Sequence, residues 1–116
     1  MAVNCVEKGK TIDYPAGADI ASGQFVMVGA LAAVAITDIA SGQTGALDTS
    51  QVFDLPKGAE AITQGAKLYW DADGNPVGGV AGSGCLTATA TDNDYAGIAW
   101  AAADAGAALV PLKLNA

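Results

Sequence analysis

Ile62-Thr63-Gln64-Gly65-Ala66-Lys67-Leu68-Tyr69-Trp70-Asp71, followed by Ala72-Asp73-Gly74-Asn75-Pro76, decides how the rest of this chain is read. Leu68, Tyr69 and Trp70 stand in a row between a glycine and a cluster of Asp, Gly and Asn, the pattern of a short strand entering a tight turn. The chain has only two Trp, three Tyr and two Phe. A buried aromatic removes roughly 150–250 Å² from water, so Leu68, Tyr69 and Trp70 are the expected anchors of a core or an interface.

Beyond this strand, Asp71, Asp73 and Asn75 put oxygen donors at alternate positions, as a calcium loop does. Counted from Asp71, however, glycine comes fourth and Gly82 stands twelfth, where the helix-loop-helix site needs glycine sixth and glutamate twelfth. A turn supported by its own side chains is the expectation. Gly78 to Gly84 lacks the spacing of a dinucleotide fingerprint. Leu86-Thr87-Ala88-Thr89-Ala90-Thr91 alternates and predicts a strand wet on one side. Asp92-Asn93-Asp94 then turns into Tyr95 to Ala101, and Asp104-Ala105-Gly106 turns into Ala107 to Leu114. In that last strand Val110, Leu112 and Leu114 share a face, while Pro111 removes a donor and argues for an edge or a bulge.

Upstream, Asp19-Ile20-Ala21-Ser22-Gly23-Gln24 recurs letter for letter as Asp38-Ile39-Ala40-Ser41-Gly42-Gln43, and Ile62 to Ala66 is a looser copy. The unequal spacings indicate a reused strand-entry turn, not a solenoid. Phe25 to Val28 and Leu31 to Ile36 flank Gly29-Ala30, a link suited to a hairpin. Leu55-Pro56-Lys57-Gly58 has Pro second and Gly fourth, as a turn does. Thr11-Ile12-Asp13-Tyr14 is the first alternating segment, preceded by a polar arm over residues 1–10. Gly9-Lys10-Thr11 resembles the end of a phosphate-binding loop, but Asn4 stands where that loop requires glycine. Eight or nine short strands predict an all-β fold: a small single-domain β-barrel or sandwich of antiparallel strands over residues 11–116, with an extended N-terminal arm.

Composition narrows the function classes. Twelve acidic residues against five basic ones give a net charge of −7, which opposes binding to nucleic-acid phosphates. The absence of histidine removes the usual Ser/His/Asp and Cys/His nucleophilic chemistry and histidine metal sites. No catalytic, cofactor-binding or metal-ligating set emerges, and the reading is of a non-enzyme. Cys5 and Cys85 form no metal or redox pair in sequence and fit two small hydrophobes in a reducing compartment, with a disulfide as the alternative. The N-terminus has no basic-then-apolar signal pattern. The longest apolar run, Phe25 to Ile36, is too short for a membrane helix, which needs about 20 residues.

Several stretches together resemble the tailed-phage capsid decoration, or capsid cement, proteins. They are Asn4-Cys5-Val6 with Gly9, Ser22-Gly23-Gln24 leading to Val28-Gly29, Val52-Phe53-Asp54-Leu55-Pro56-Lys57, Gly65 with Leu68-Tyr69-Trp70-Asp71, and Gly97-Ile98-Ala99 with Leu112-Lys113-Leu114-Asn115. The resemblance implies a structural virion protein, made in the bacterial cytoplasm, that binds the outer capsid surface and staples neighbouring major capsid protein subunits. A homotrimer is the implied state, with no cofactor, nucleic acid or membrane involved. The recombinase role sometimes attached to such sequences would need a phosphate-binding loop or basic surface, and this chain has neither. Val3, Asn4, Cys5 and Val6 of the arm, and Trp100, are the candidate contacts to capsid or partner. The competing readings are a small-ligand-binding β-barrel and a subunit of another phage assembly such as the tail.

Overall fold

The computed structural model describes residues 9–116, so most of the arm, with Val3, Asn4, Cys5 and Val6, lies outside the described residues. Nine strands build the described chain: β1 (Thr11–Pro15), β2 (Phe25–Val28), β3 (Leu31–Ala35), β4 (Thr44–Asp48), β5 (Val52–Pro56), β6 (Lys67–Asp71), β7 (Cys85–Thr87), β8 (Asp94–Ala99) and β9 (Leu109–Leu114). They form two antiparallel sheets, ordered β1-β4-β3-β2 and β5-β9-β8-β6-β7. Each sheet keeps two edge strands, so neither closes into a barrel, and the sandwich is the alternative that the fold takes.

The exact hexapeptide repeat organises the first sheet. Ile20 and Ile39 exchange both backbone hydrogen bonds at 2.8 Å. Asp38 accepts from the Ser22 N–H and Asp19 from the Ser41 N–H, both at 2.8 Å. Gly23 and Gly42 both adopt φ +84, which only glycine takes without steric cost. The two copies are therefore crossed about a local two-fold axis. That symmetry extends into the strands: Ile12 pairs with Leu47 and Tyr14 with Gly45, while nineteen residues on, Leu31 pairs with Val28 and Ala33 with Val26. Each strand of one copy pairs with a strand of the other.

The second sheet repeats this arrangement. Ile62 and Ala103 exchange hydrogen bonds as Ile20 and Ile39 do, Gly65 takes φ +85, and the Gly65 N–H donates to the Ala99 carbonyl as Gly23 donates to Ala35. The order β5-β9-β8-β6 matches β1-β4-β3-β2, with β7 added at the edge. The looser copy at Ile62 is thus half of a second crossed pair whose other half, around Ala103 and Gly106, has no sequence likeness to betray it.

The two units stack in the same sense. In the first, Ile20 and Ile39 close over Ala33, Ala35 and Leu47 on the face turned away from the second sheet. In the second, Ile62 closes over Leu68, Ala99 and Leu112, and this covered face receives Phe25, Ala32 and Val34 from the first sheet.

Three local expectations are corrected. Leu55 to Gly58 is not a turn, because β5 runs on to Pro56 and Lys57 bridges in parallel to Leu86. The strand expected over Leu86 to Thr91 stops at Thr87, where the Thr87 hydroxyl accepts the Thr89 N–H and Glu60 takes the Ala88 N–H; side chains there supply the bonds a ladder would have made. Pro111 lies neither at an edge nor at a bulge: β9 runs between β5 and β8 in unbroken register. The donor it lacks is replaced, since the Trp100 N–H donates to Pro111 and the Trp100 carbonyl is taken at 3.2 Å by the Gln64 side chain.

Asn115 joins the sheets. Its N–H donates to Ala96 of β8. Its side-chain amide accepts from the Ala32 N–H at 2.9 Å and donates to the Ala32 and Thr49 carbonyls at 2.7 and 2.8 Å. Leaving buried backbone groups without partners costs about 1–3 kcal/mol each, so Asn115→Ala should lower the unfolding free energy by about 2–4 kcal/mol in urea titration. Asn115→Asp should fail to restore it, because a carboxylate faces the Ala32 and Thr49 carbonyls with no donor.

Asp48 is fully buried at the end of β4. Burial alone would raise its carboxyl pKa, but the Ser50 and Gln51 N–H groups, the Gln51 side chain and the Lys10 charge outweigh it and hold the pKa below the ordinary value. The depressed pKa means this stabilisation is fully present above about pH 4. It disappears as pH falls through the lower folded value. Acid unfolding followed by circular dichroism should therefore lose one protonation-linked step in Asp48→Asn, which keeps an acceptor but cannot titrate.

Candidate docking surface

In β9, Val110, Leu112 and Leu114 point inward, so Leu109, Pro111 and Lys113 face out. Registry places Pro56, Asp54 and Val52 of β5 beside them on one side. Ile98 pairs with Lys113 on the other, and Lys67 of β6 pairs with Ile98. Trp100 follows on the same side as Ile98, and Tyr69 packs edge-on against Tyr95, ring centres 5.6 Å apart. Burial, then the neighbouring Tyr69, pushes the Tyr95 phenol upward, and its hydroxyl donates to the Ala116 carbonyl at 2.6 Å. The result is one mixed face on which Trp100, Leu109 and Val52 are 57%, 49% and 38% exposed, with Asp54, Lys67 and Lys113 among them. Lone exposed hydrophobics are ordinary, but several on one sheet face make it the candidate docking surface.

Leu68, Tyr69 and Trp70 part company in this frame. Leu68 is fully buried in the inter-sheet core. Trp70 also faces inward, stacked on Phe25 of the first sheet with ring centres 4.4 Å apart. Its indole lies so close to Gly84 that a Cβ there would sit 2.6 Å from the ring. Tyr69 faces out, on the open sheet face. Trp100, the remaining candidate contact, is also on that face. Leu109, Ile98 and Val52 were missed, although the inward set Val110, Leu112 and Leu114 already implied that Leu109 turns the other way.

Two further concavities are shallow. Ile20, Ala21, Ile39 and Ala40, rimmed by Asp19, Asp38 and Gln24, line an open cleft of about 450 Å³ over the crossed repeat. Glu60, Asp71, Asn75 and Cys85 line another. The Cys85 thiol is free and buried, and burial, with the charges of Asp71 and Glu60, raises its pKa against the opposing effect of Lys57. Among the described residues no group of three or more acidic or cysteine side chains could hold a metal ion. Lys57 is fully buried, and its ammonium donates to the Gly58, Ala105 and Ala107 carbonyls at 2.9, 3.3 and 3.2 Å. Those three bonds use all three of its donors, leaving none for a ligand.

The model of one family, described as phage cement protein, matches residues 6–114. The chain belongs to the phage cement protein family. No curated protein and no solved structure matches it. For this cement protein, membership implies a structural, capsid-associated role in the virion, and the match covers both sheets and the open face.

The two tryptophans should separate cleanly on substitution. Trp70→Ala removes a half-buried ring from the core and should cost about 2–4 kcal/mol, somewhat less than a fully buried ring would. Trp100→Ala, on the open face, should change the unfolding free energy by less than about 0.5 kcal/mol. Chemical denaturation of both variants checks the contrast.

Proposed function

We propose that this cement protein binds the outer surface of an assembled phage capsid and staples neighbouring major capsid protein subunits, stabilising the shell without catalysis. The observation that carries the reading is the family match over residues 6–114. Stapling works by multivalency, because after one contact is made the contacts to adjacent subunits become effectively intramolecular, so modest single sites suffice. An open sheet face suits such contacts better than a closed cavity does. The ligand-barrel alternative lacks a closed barrel to supply its lumen. Nucleic acid is a poor partner for a chain of net charge −7.

The arm, with Val3, Asn4, Cys5 and Val6, is the proposed capsid contact. Gly9, where the described residues begin, has a φ of +74 that permits a change of direction. The Thr49 hydroxyl ties this point down, its one O–H shared between the Gly9 and Lys10 carbonyls, 2.9 and 3.0 Å away. Trp100 is the proposed anchor of a contact between copies, in a homotrimer on the shell.

Purified protein mixed with undecorated, expanded capsids should co-sediment at a saturable ratio. Deleting residues 2–8 should leave the melting temperature nearly unchanged and abolish most of that binding. A full-length protein that leaves capsids bare, or an arm deletion that binds as well as the parent, would overturn the corresponding part of the reading.

A further inference from the structure

We propose that copies of this protein associate head to tail, the Trp100 face of one copy seating on the crossed-repeat end of the next. The internal duplication shows how such a face is covered. Strand pairings Val34–Asp48 and Ala35–Leu47 of the first sheet correspond to Ile98–Lys113 and Ala99–Leu112 of the second. The face of the first sheet that carries Val34 and Phe25 is therefore equivalent to the face of the second that carries Ile98 and Lys67. In the first unit that face is buried under the turn-covered side of the second, with Ile62 at the contact. In the second unit the equivalent face is open, and Trp100 stands at its rim 57% exposed, where its equivalent in the first unit, Ile36, is 47% exposed beside the covered Val34 and Phe25.

At the far end of the stack, the side equivalent to the one that covers Val34 and Phe25 is also open. It is the cleft floored by Ile20 and Ile39. Its volume of about 450 Å³ accommodates an indole ring. Charge favours the same junction: the open face carries Lys67, with Lys113 already donating to the Ser50 and Leu114 carbonyls, against Asp54, whereas the cleft is rimmed by Asp19 and Asp38 and residues 16–43 contain no lysine. A second copy thus continues between molecules the stacking that already exists within one. Such an interface is heterologous, and because its two surfaces lie at opposite ends of the stack it adds copies in one direction, each new copy presenting a fresh Trp100 face or a fresh cleft. The inference does not rest on the cement reading.

Sedimentation velocity of the full chain, run as a concentration series, tests it. The parent should associate. Trp100→Ala should weaken association roughly thirtyfold, as loss of a central aromatic anchor does. Asp19→Asn/Asp38→Asn, which keeps both acceptors for Ser22 and Ser41, should weaken it about three- to tenfold, as should Lys67→Glu, whose exposed site bears no turn hydrogen bond. Mixing the Trp100 variant with the Asp19/Asp38 variant should give a one-to-one dimer at parent-strength affinity, with larger species only at higher concentration, because each pair can form one intact junction. A parent that stays monomeric up to about 1 mM, or association untouched by the Asp19/Asp38 and Lys67 changes, overturns the proposal. Capsid co-sedimentation of the same proteins separates the two readings: monomers that still decorate capsids sink only the junction, and associating protein that leaves capsids bare sinks only the cement role.

Discussion

The Asn115 side chain holds the two sheets in one register, and the fold depends on that alignment. Ala96 and Ala32 are fully buried, small enough to let β8 and β3 approach without interlocking side chains. Surfaces of alanine can slide, because burial area alone is non-directional. Asn115 removes that freedom by bonding Ala96 through its backbone and both polar groups of Ala32 through its amide. Its φ of +54 is a conformation asparagine tolerates better than most residues. One step away, Gly97 lets the chain pass where a Cβ would lie 2.0 Å from the Lys113 carbonyl oxygen. The C-terminal strand therefore fixes its own sheet and the facing one together.

Lys57 performs the equivalent service at the other end of the second sheet. A buried ammonium without a carboxylate partner is costly unless its donors are satisfied. Here three carbonyls from Gly58, Ala105 and Ala107 satisfy it, drawing the segment after β5 and the segment before β9 to one point. The chain has few large side chains with which to lock loops by packing. Directional polar contacts at Asn115, Lys57, Asp48 and Gln64 replace them.

The strands were legible wherever apolar alternation met a glycine turn. The hairpin at Gly29, the strand Lys67–Asp71 and the inward set of β9 all followed from period and punctuation. Sequence pattern failed where the partner of a polar group lay far along the chain. Lys57 read as a turn residue because nothing near it announces the carbonyls of Ala105 and Ala107. Pro111 read as an edge because the donor that replaces its own sits on Gln64. The hexapeptide repeat was visible as letters, yet its meaning as a crossed pair needed the Ile20–Ile39 bridge, and the equivalent pair at Ile62 and Ala103 keeps the hydrogen bonds while losing the letters. On the candidate surface Trp100 was legible as an isolated aromatic among alanines. Leu109 and Val52 were hidden because each belongs to a strand whose other face carries the stronger pattern.

Stacking two copies of one unit in the same sense has a consequence that a mirror-like sandwich avoids. When two equivalent sheets meet by the same face, each buries what the other buries, and no equivalent face is left over. When they stack in one direction, the first unit's open face is covered and the second's cannot be. The sequence adapts to this asymmetry: Phe25, in the buried face, corresponds to Lys67 in the exposed one, and Asp48 corresponds to Lys113. The apolar positions are only partly replaced: Val34 corresponds to Ile98, and at the rim Ile36, itself 47% exposed, corresponds to Trp100, so the exposed face remains more apolar than solubility alone requires. Lysines keep the face in water while apolar bulk is retained on it, a composition that fits the proposed contact between copies.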